Sequence, residues 1–297
     1  MYHNPVLLQK SVQGLNINPN GNYVDATFGG GSHSRAILQQ LTEGKLIAFD
    51  QDIDALKNTI EDNRFVFINH NFQYLKNFLR LHKLEKVDGI LADLGVSSHQ
   101  FDVPERGFSI RFDAPLDMRM NKSQPNNAAD VVNTYSVDEL KRLFRDYGEV
   151  KNSHCFARAI IETRETHPII TTNQLIECVQ RCFPQHKKNK FLAQVFQALR
   201  IEVNDEMQTL KLLLEQANEL LKPGGRLVVI SYHSLEDRLV KNFIKSGNFK
   251  GEVEKDFFGN PIVSFKPITR KPIIPDEIEI KNNSRARSAK LRIAEKI

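Results

Sequence analysis

The sequence predicts an α/β fold in which a helical domain is inserted into an open parallel sheet. Short apolar strands alternate with amphipathic helices over residues 22–94, a rhythm typical of parallel sheets with right-handed crossovers. A glycine-rich turn, Gly29–Gly31, joins the first strand to a helix that begins at Ser32. Open α/β sheets hold nucleotide-like cofactors at such a strand, glycine turn and helix. The alternation stops near Val103 and resumes after Lys190, which indicates an insertion.

The predicted strands are short and rich in apolar and β-branched residues, a composition that favours burial inside a sheet. After the opening strand before the glycine turn, we expect strands at Lys45–Asp50, Arg64–Asn69, Val87–Leu94 and Arg226–Tyr232. Helices are expected at Ser32–Leu41, 52–62, 72–81, Asp205–Leu221 and from Ser234 onward. Ile262–Phe265 and Ala289–Ala294 are candidates for an antiparallel pair that closes the sheet.

The inserted segment contains helix signals but no convincing strand. Capping boxes at Ser136 and at Thr171 each start a helix, and residues 185–190 form a basic stretch expected to be a loop. We therefore divide the chain into a sheet domain, residues 1–103 with 191–297, and a helical insertion, residues 104–190.

Composition limits the partners and the compartment. Hydrophobic residues make up 40% and charged residues 26%, as in ordinary globular proteins, and no apolar run approaches the length of a membrane span. The net charge of +5 permits a nucleic-acid partner without requiring one. The cysteines, Cys155, Cys178 and Cys182, are few and odd in number, so we expect buried thiols, no disulfide framework and a reducing cytoplasm. No matching His or Cys pair completes a metal site, and none is expected.

Two acids follow predicted strands at positions suited to ligand binding. Asp50 ends the second strand nineteen residues after Gly31, where an acid accepts both hydroxyls of an adenosine ribose. A helix-capping or solvated acid is the alternative. Asp93 ends the fourth strand, beside the expected reversal of strand order. Its carboxylate would accept a hydrogen bond from an adenine amino group or from the substrate. Its alternative is a turn-forming residue before Gly95. Since Ser34 stands where a dinucleotide-binding turn has its third glycine, a nicotinamide or flavin is disfavoured.

Histidine and basic side chains are further candidates. His33 follows the glycines directly and is a candidate ligand contact. His233 follows the fifth strand and would line the same crevice, although a structural histidine beside Ser234 as the helix N-cap explains the pattern as well. Basic residues that suit phosphate contacts are Lys187, Lys188, Lys190, Arg285, Arg287 and Lys290, with Arg106, Arg111 and Arg119 in the insertion. For the lysine run, an ordinary solvated loop is the alternative.

Several longer blocks occur in the order found in a known family. They are Asp25-Ala-Thr-Phe-Gly-Gly-Gly-Ser-His-Ser, Asp88-Gly-Ile-Leu-Ala-Asp-Leu-Gly-Val-Ser-Ser, Glu105-Arg-Gly-Phe-Ser, Pro115-Leu-Asp-Met-Arg-Met, Phe196-Gln-Ala-Leu-Arg-Ile-Glu-Val-Asn, Ser231-Tyr-His-Ser-Leu-Glu-Asp-Arg and Arg285-Ala-Arg-Ser. The chain thereby resembles the bacterial small-subunit ribosomal RNA methyltransferase H family, the MraW-type enzymes. The resemblance covers nearly the whole length, and residues 245–283 match only loosely.

The resemblance implies a Rossmann-like class I methyltransferase fold and S-adenosylmethionine as cofactor. It also implies methylation of the exocyclic N4 of one cytidine in the decoding region of 16S rRNA, within the small ribosomal subunit. The insertion would then recognise RNA, and Asp93 and His233 are candidate catalytic residues. The family's cofactor contacts map onto Gly31, Ser32, His33, Asp50, Phe72, Asp93 and Gln100. The family usually has glycine at the position of Ser32; a backbone contact survives this change, so we expect binding to persist.

Two other functions remain open at this stage. A DNA cytosine-N4 or adenine-N6 methyltransferase would carry a Pro-Pro-Tyr type motif after the fourth strand, where this chain has Asp93-Leu-Gly-Val. A non-catalytic RNA-binding assembly factor would keep the basic residues without needing a cofactor crevice.

Overall fold

A computed structural model describes residues 5–297 in two compact units, residues 5–95 with 207–297, and residues 96–206. The helices and strands are, in chain order, α1 (Leu8–Leu15), β1 (Tyr23–Asp25), α2 (Ser32–Leu38), β2 (Leu46–Phe49), β3 (Phe65–Ile68), α3 (Leu75–Leu81), β4 (Val87–Asp93), α4 (Ser98–Asp102), α5 (Ala128–Thr134), α6 (Val137–Asp146), α7 (Ser153–Arg164), α8 (Thr172–Val179), α9 (Lys188–Asn204), α10 (Glu206–Leu220), β5 (Leu221–Ser231), α11 (Ser234–Ser246), β6 (Phe265–Pro267), α12 (Glu277–Asn282) and β7 (Lys290–Lys296). Within residues 5–297, no helix has the length and apolar character needed to cross a bilayer.

One seven-stranded sheet organises the first unit, in the order β3-β2-β1-β4-β5-β7-β6. Strands β1 to β5 are parallel, and β7 runs antiparallel to both β5 and β6. The expected antiparallel closing pair is therefore present, although β6 begins at the last residue of its predicted stretch. This topology confirms the predicted Rossmann-like α/β class.

The strand order reverses between β1 and β4. The chain builds β2 and β3 on one side of β1 and then returns to place β4 on the other side. In open α/β sheets, ligands bind outside the carboxyl ends of the strands at such a switch point. Asp25 is the last residue of β1 and Asp93 the last residue of β4, so both acids stand at this crevice.

Both faces of the sheet are covered by apolar side chains. All four residues of β2 are buried; Ile47 and Phe49 belong to one hydrophobic cluster, whereas Leu46 and Ala48 belong to a second. Successive side chains of a strand point to opposite faces, so the two clusters are the cores above and below the sheet. This packing fixes the register of the strands and thereby the positions of the residues at their ends.

One helix of the structure was not predicted, and one predicted helix is absent. The helix α1 was not expected, and residues 52–62 do not form the predicted α-helix. They contain a short 3₁₀ helix, Ile53–Asn58, which Asp52 caps by accepting from the backbone N–H of Asp54. Ile53 and Leu56 are exposed, so the segment lacks the buried apolar face that stabilises a longer helix.

The second unit contains α4 to α9 around its own hydrophobic core, and within residues 96–206 the only strand-like pairing is an isolated bridge. The predicted capping boxes at Ser136 and Thr171 are both present. The unit spans 96–206 rather than 104–190. At its end, α9 continues past the expected boundary and buries its apolar face in this core, and at its start Val96 and Phe101 pack against the same core. The expected basic loop at 185–190 is instead a 3₁₀ turn followed by the first turn of α9.

Buried polar side chains hold a loop of the second unit in place. The side-chain amide of Asn204 accepts from the N–H of Met120 (2.7 Å) and donates to the carbonyl of Met118 (2.8 Å). The guanidinium of Arg106, which is almost fully buried, donates to the carbonyls of Arg119 and Met120. Met118 is buried with φ of 60°, a strained conformation for a side-chain-bearing residue. These bonds hold the loop in that conformation.

The prediction of three reduced cysteines is wrong for two of them. Cys155 and Cys182 form a disulfide whose Cα atoms lie 5.7 Å apart, and only Cys178 is a buried free thiol. Cys182 lies in a 3₁₀ turn after α8, so it leaves the helix face that Cys178 occupies. The cysteine count therefore no longer supports a reducing compartment.

We expect Asn204→Ala to lower the free energy of unfolding by about 2–3 kcal/mol, because it leaves a buried N–H and a buried carbonyl of the loop without partners. Urea unfolding measures this change. Asn189→Ala is the matched control, since Asn189 is an exposed asparagine on the same helix, and it should stay within about 0.5 kcal/mol of the wild type. Equal effects of the two changes would contradict the structural role of Asn204.

Candidate active site

Three carboxylates stand at the carboxyl ends of β1, β2 and β4 around the glycine turn. Asp25 is fully buried; one oxygen accepts from the hydroxyl of Ser34 (2.7 Å) and the other from the N–H of Thr27 (3.1 Å). Burial raises the pKa of Asp25 to about 6, and the Ser34 hydrogen bond opposes the shift. Asp25 thus ties the end of β1 to α2 across the turn.

Asp50 contacts the glycine turn directly. Its Oδ2 accepts from the N–H of Gly29 (2.7 Å) and its Oδ1 from the N–H of Asp52 (2.8 Å). Burial raises the pKa of Asp50 to about 6, and these two hydrogen bonds oppose the shift. The capping role that was the alternative for Asp50 is taken by Asp52. Asp50 is therefore positioned beside the turn, with both oxygens held by main-chain groups.

Gly29 and Gly31 of the turn adopt conformations that other residues disfavour. Gly29 has φ of 50°, and a Cβ built there would meet nothing within 4 Å, so open space adjoins it. Gly31 has φ of 76°, and a Cβ there would approach the guanidinium of Arg35 to 2.6 Å. Gly31 also occupies the N-cap position of α2, so Ser32 is the first helical residue and does not cap the helix. The turn therefore needs glycine and leaves room beside its backbone.

Asp93 is held from two sides. Its N–H donates to Oγ1 of Thr27 (2.6 Å), and its Oδ1 accepts from the hydroxyl of Tyr232 (2.8 Å). Its Oδ2 lies 4.0 Å from Nδ1 of His33. Burial lowers the pKa of His33 to about 4, so the ring is neutral at pH 7 and this approach is not an ion pair under those conditions. Oδ2 of Asp93 therefore faces a neutral imidazole rather than a cation.

The Asp93 carboxyl group titrates in an unusual range. Burial raises its pKa to about 7, with the Tyr232 hydrogen bond opposing the shift and the charges of Asp25 and Glu236 adding to it. A carboxyl group with such a pKa exchanges a proton readily near neutral pH. The arrangement therefore provides an acid–base group at the switch point of the sheet.

Tyr232 is a site residue that the sequence did not single out. Burial raises its pKa well above 10, so its hydroxyl remains a donor to Asp93. Its ring lies against Gly95, where a Cβ would come within 3.4 Å of it and where φ is 89°. In the sequence, only its position immediately after the fifth strand could have marked Tyr232 as a site residue.

The other predicted site residues occupy different surroundings. Phe72 begins a 3₁₀ turn after β3 and is half-buried against the core of the first unit. Gln100 belongs to the second unit, where it is buried and its side chain accepts from the N–H of Ser97 in a capping box. His233 is the N-cap of α11, the role expected of Ser234, which is instead the first helical residue. Of the seven predicted cofactor contacts, only Gln100 thus lies outside the first unit.

Several of the basic candidates are engaged within the protein. Arg106 is buried and therefore does not offer its charge to a phosphate. Arg119 forms two hydrogen bonds with the carboxylate of Asp117, and Lys290 pairs with Asp237 (3.2 Å). Lys187, Lys190 and Arg287 are exposed.

Comparison with known proteins gives full-length matches. The model of the MraW methylase family matches residues 1–297. A ribosomal RNA small subunit methyltransferase H from Flavobacterium johnsoniae is 62% identical over 297 residues, covering 100% of this chain and 98% of the relative. The protein of the same name from Bacteroides thetaiotaomicron is 58% identical over 296 residues, covering 99% and 97%. A putative methyltransferase from Streptococcus mutans, solved with SAH, has 15% identity and a TM-score of 0.45 over 100% of both chains, a similarity too low to support an inference.

We expect Tyr232→Phe to raise the pKa of Asp93 above about 7, because the change removes the hydroxyl that stabilises the ionised carboxylate. A carbon-13 NMR titration of the Asp93 carboxyl group measures the shift. Tyr74→Phe is the control, since Tyr74 is exposed and lies after β3. An unchanged Asp93 titration in Tyr232→Phe would show that the hydroxyl does not influence the carboxylate.

Proposed function

We propose that this chain, which belongs to the MraW methylase family, transfers a methyl group from S-adenosylmethionine to the N4 amine of one cytidine in 16S rRNA. The full-length match confirms the family resemblance drawn from the motifs. The names of relatives 56–62% identical support ribosomal RNA of the small subunit as the substrate. The choice of cytidine N4 and of the decoding region follows from the resemblance of the motif blocks. Such a substrate would place the reaction in the cytoplasm.

The observation that carries the proposal is the set of groups around the glycine turn. The open space beside Gly29 admits a ligand close to the backbone, and the buried Nε2 of His33 has no hydrogen-bond partner within residues 5–297. The carboxylates of Asp50 and Asp93 are acceptors suited to ribose hydroxyls and to an amino group. These features fit a nucleoside-containing cofactor. We assign cofactor contacts to Gly31, Ser32, His33, Asp50, Phe72, Asp93 and Gln100.

The reacting amine determines what the protein must supply. The lone pair of cytosine N4 is delocalised into the ring, so the amine is a weak nucleophile and loses a proton on methylation. S-adenosylmethionine, when bound, supplies an electrophilic methyl group on its sulfonium sulfur. The protein orients the base and provides a preorganised hydrogen-bond acceptor, which together account for much of a rate enhancement.

Asp93 is the candidate acceptor. The Tyr232 hydrogen bond engages Oδ1 and leaves Oδ2 toward His33, and a pKa near 7 allows the carboxylate to take a proton at neutral pH. If Asp93 instead binds the adenine amino group, a backbone carbonyl within residues 94–97 is the alternative acceptor. His233 is the weaker candidate, since its side chain is buried and caps α11.

The target base must leave its stack to reach such a crevice. We assign recognition of the surrounding RNA to the helical unit, in which Lys187 and Lys190 are exposed at the start of α9. Cations of this kind position a nucleic acid through its phosphates.

The substrate is tested by incubating the protein with labelled S-adenosylmethionine and small ribosomal subunits, naked 16S rRNA or DNA. Nucleosides from the product are then identified by mass spectrometry. N4-methylcytidine from rRNA or subunits supports the proposal. Label in DNA would favour the DNA methyltransferase alternative, and RNA binding without label would favour a non-catalytic assembly factor.

We expect Asp50→Ala to abolish measurable binding of S-adenosylmethionine, because it removes the acceptor proposed for the ribose and the partner of the Gly29 N–H. Isothermal calorimetry measures the affinity. Asp54→Ala is the matched control, since Asp54 lies in the adjoining 3₁₀ helix and pairs with Lys57. Unchanged affinity in Asp50→Ala would overturn the assignment.

A further inference from the structure

Glu236 is a buried acid near the candidate active site that the proposed reaction does not use. It lies in the first turn of α11, and only 2% of the residue is exposed. A carboxylate buried to this degree is costly unless hydrogen bonds compensate for the lost water. The donors that Glu236 contacts therefore indicate what its carboxylate holds in place.

The carboxylate of Glu236 binds the backbone that links β5 to α11. Its Oε2 accepts from the N–H of Tyr232 (2.8 Å) and from the N–H of His233 (3.3 Å), and its Oε1 lies 3.2 Å from Nε2 of His233. An ordinary capping box needs only the bond to the N-cap residue, which here is His233. The shorter bond reaches one residue further back, so Glu236 holds Tyr232 as well as the start of the helix.

Tyr232 carries this constraint to Asp93. The strand β5 and its pairing with β7 end at Ser231, so the Glu236 carboxylate takes over from the strand ladder at the N–H of Tyr232. The Tyr232 ring lies against Gly95, and its hydroxyl donates to Oδ1 of Asp93 (2.8 Å). The direction of this hydroxyl, and with it the orientation of the Asp93 carboxyl group, therefore depends on Glu236.

Glu236 also acts on Asp93 through its charge. Burial is the main cause that raises the pKa of Asp93 to about 7; the Tyr232 hydroxyl opposes the shift, and the charges of Asp25 and Glu236 add to it. The remaining neighbour is His33, whose ring is neutral at pH 7 because burial lowers its pKa to about 4. Of these groups, Glu236 both supports the hydroxyl and contributes a negative charge.

We propose that Glu236 is a positioning residue for methyl transfer, which aims the Tyr232 hydroxyl at Asp93 and places a negative charge near the Asp93 carboxyl group. The inference rests on the proposed function, in which Asp93 takes the proton that the amine loses. A nearby negative charge makes a carboxylate a stronger base, which suits an acceptor for that proton. A helix cap alone would explain the bond to His233 but not the shorter bond to Tyr232.

The effect of the charge is tested with Glu236→Gln, because the amide oxygen keeps an acceptor for the N–H of Tyr232. The pKa of Asp93 should fall by about half a unit or more, since a carboxyl group ionises more readily without a negative neighbour. Carbon-13 NMR titration measures this shift, and the acid limb of the kcat profile should move to lower pH with it. Asp237→Asn is the matched control, because Asp237 lies in the same helical turn but is paired with Arg292 (2.7 Å). It should leave the Asp93 titration unchanged.

The positioning role is tested with Glu236→Ala, which removes the acceptor as well as the charge. We expect kcat to fall about tenfold or more, with KM for the RNA and the affinity for S-adenosylmethionine unchanged. Glu236→Gln should retain kcat at its optimal pH to within about twofold, because it keeps the hydrogen bonds. In a Tyr232→Phe background, Glu236→Ala should cause little further loss, since the hydroxyl that Glu236 aims is already absent.

An unchanged Asp93 titration in Glu236→Gln would refute the inference. So would a loss of kcat in Glu236→Ala that is equally large in the Tyr232→Phe background. Circular dichroism shows whether the alanine variant folds, and if it does not, the titration of the glutamine variant decides. If the wild type methylates no RNA, the proposed function fails, whereas the same titration still decides whether Glu236 acts on Asp93.

Discussion

The clustering of three carboxylates at one end of the sheet, with Asp25 fully buried and Asp50 and Asp93 partly buried, is the constraint on which the site depends. Asp25, Asp50 and Asp93 end parallel strands, and burial disfavours the charged form of each. Each carboxylate must therefore find donors, and the glycine turn, with the hydroxyls of Ser34 and Tyr232, supplies them. The same bonds that make burial tolerable fix the backbone against which a ligand would rest.

The raised pKa values of the three carboxyl groups also affect the stability of the fold. The pKa values of these carboxyl groups are higher in the folded protein than in the unfolded chain. The free energy of unfolding therefore falls as the pH rises through about 6 to 7 and the groups ionise. This loss of stability must be offset by favourable packing elsewhere, and the two apolar clusters on the faces of the sheet supply that packing.

Local signals predicted much of this structure, and contacts between distant segments account for the rest. The apolar runs predict the strands, and the acids at the ends of two of these runs single out Asp50 and Asp93 as candidates. Tyr232 is missed because its contact with Asp93 depends on the pairing of β4 with β5, which no local pattern reveals. Arg106 resembles a surface cation until its carbonyl partners are known, and the disulfide requires the approach of α7 to the turn after α8.

We propose that the turn at Gly29–Gly31, with Asp50 and Asp93, holds S-adenosylmethionine. A crystal structure with S-adenosylhomocysteine tests it most directly. We expect the ribose hydroxyls to bind the carboxylate of Asp50 and the ligand to lie against the backbone of the glycine turn. Asp93 should lie within hydrogen-bond distance of the ligand or face the side from which the methyl acceptor approaches. A ligand bound elsewhere, with Asp50 still engaged only by the N–H groups of Gly29 and Asp52, would contradict this assignment.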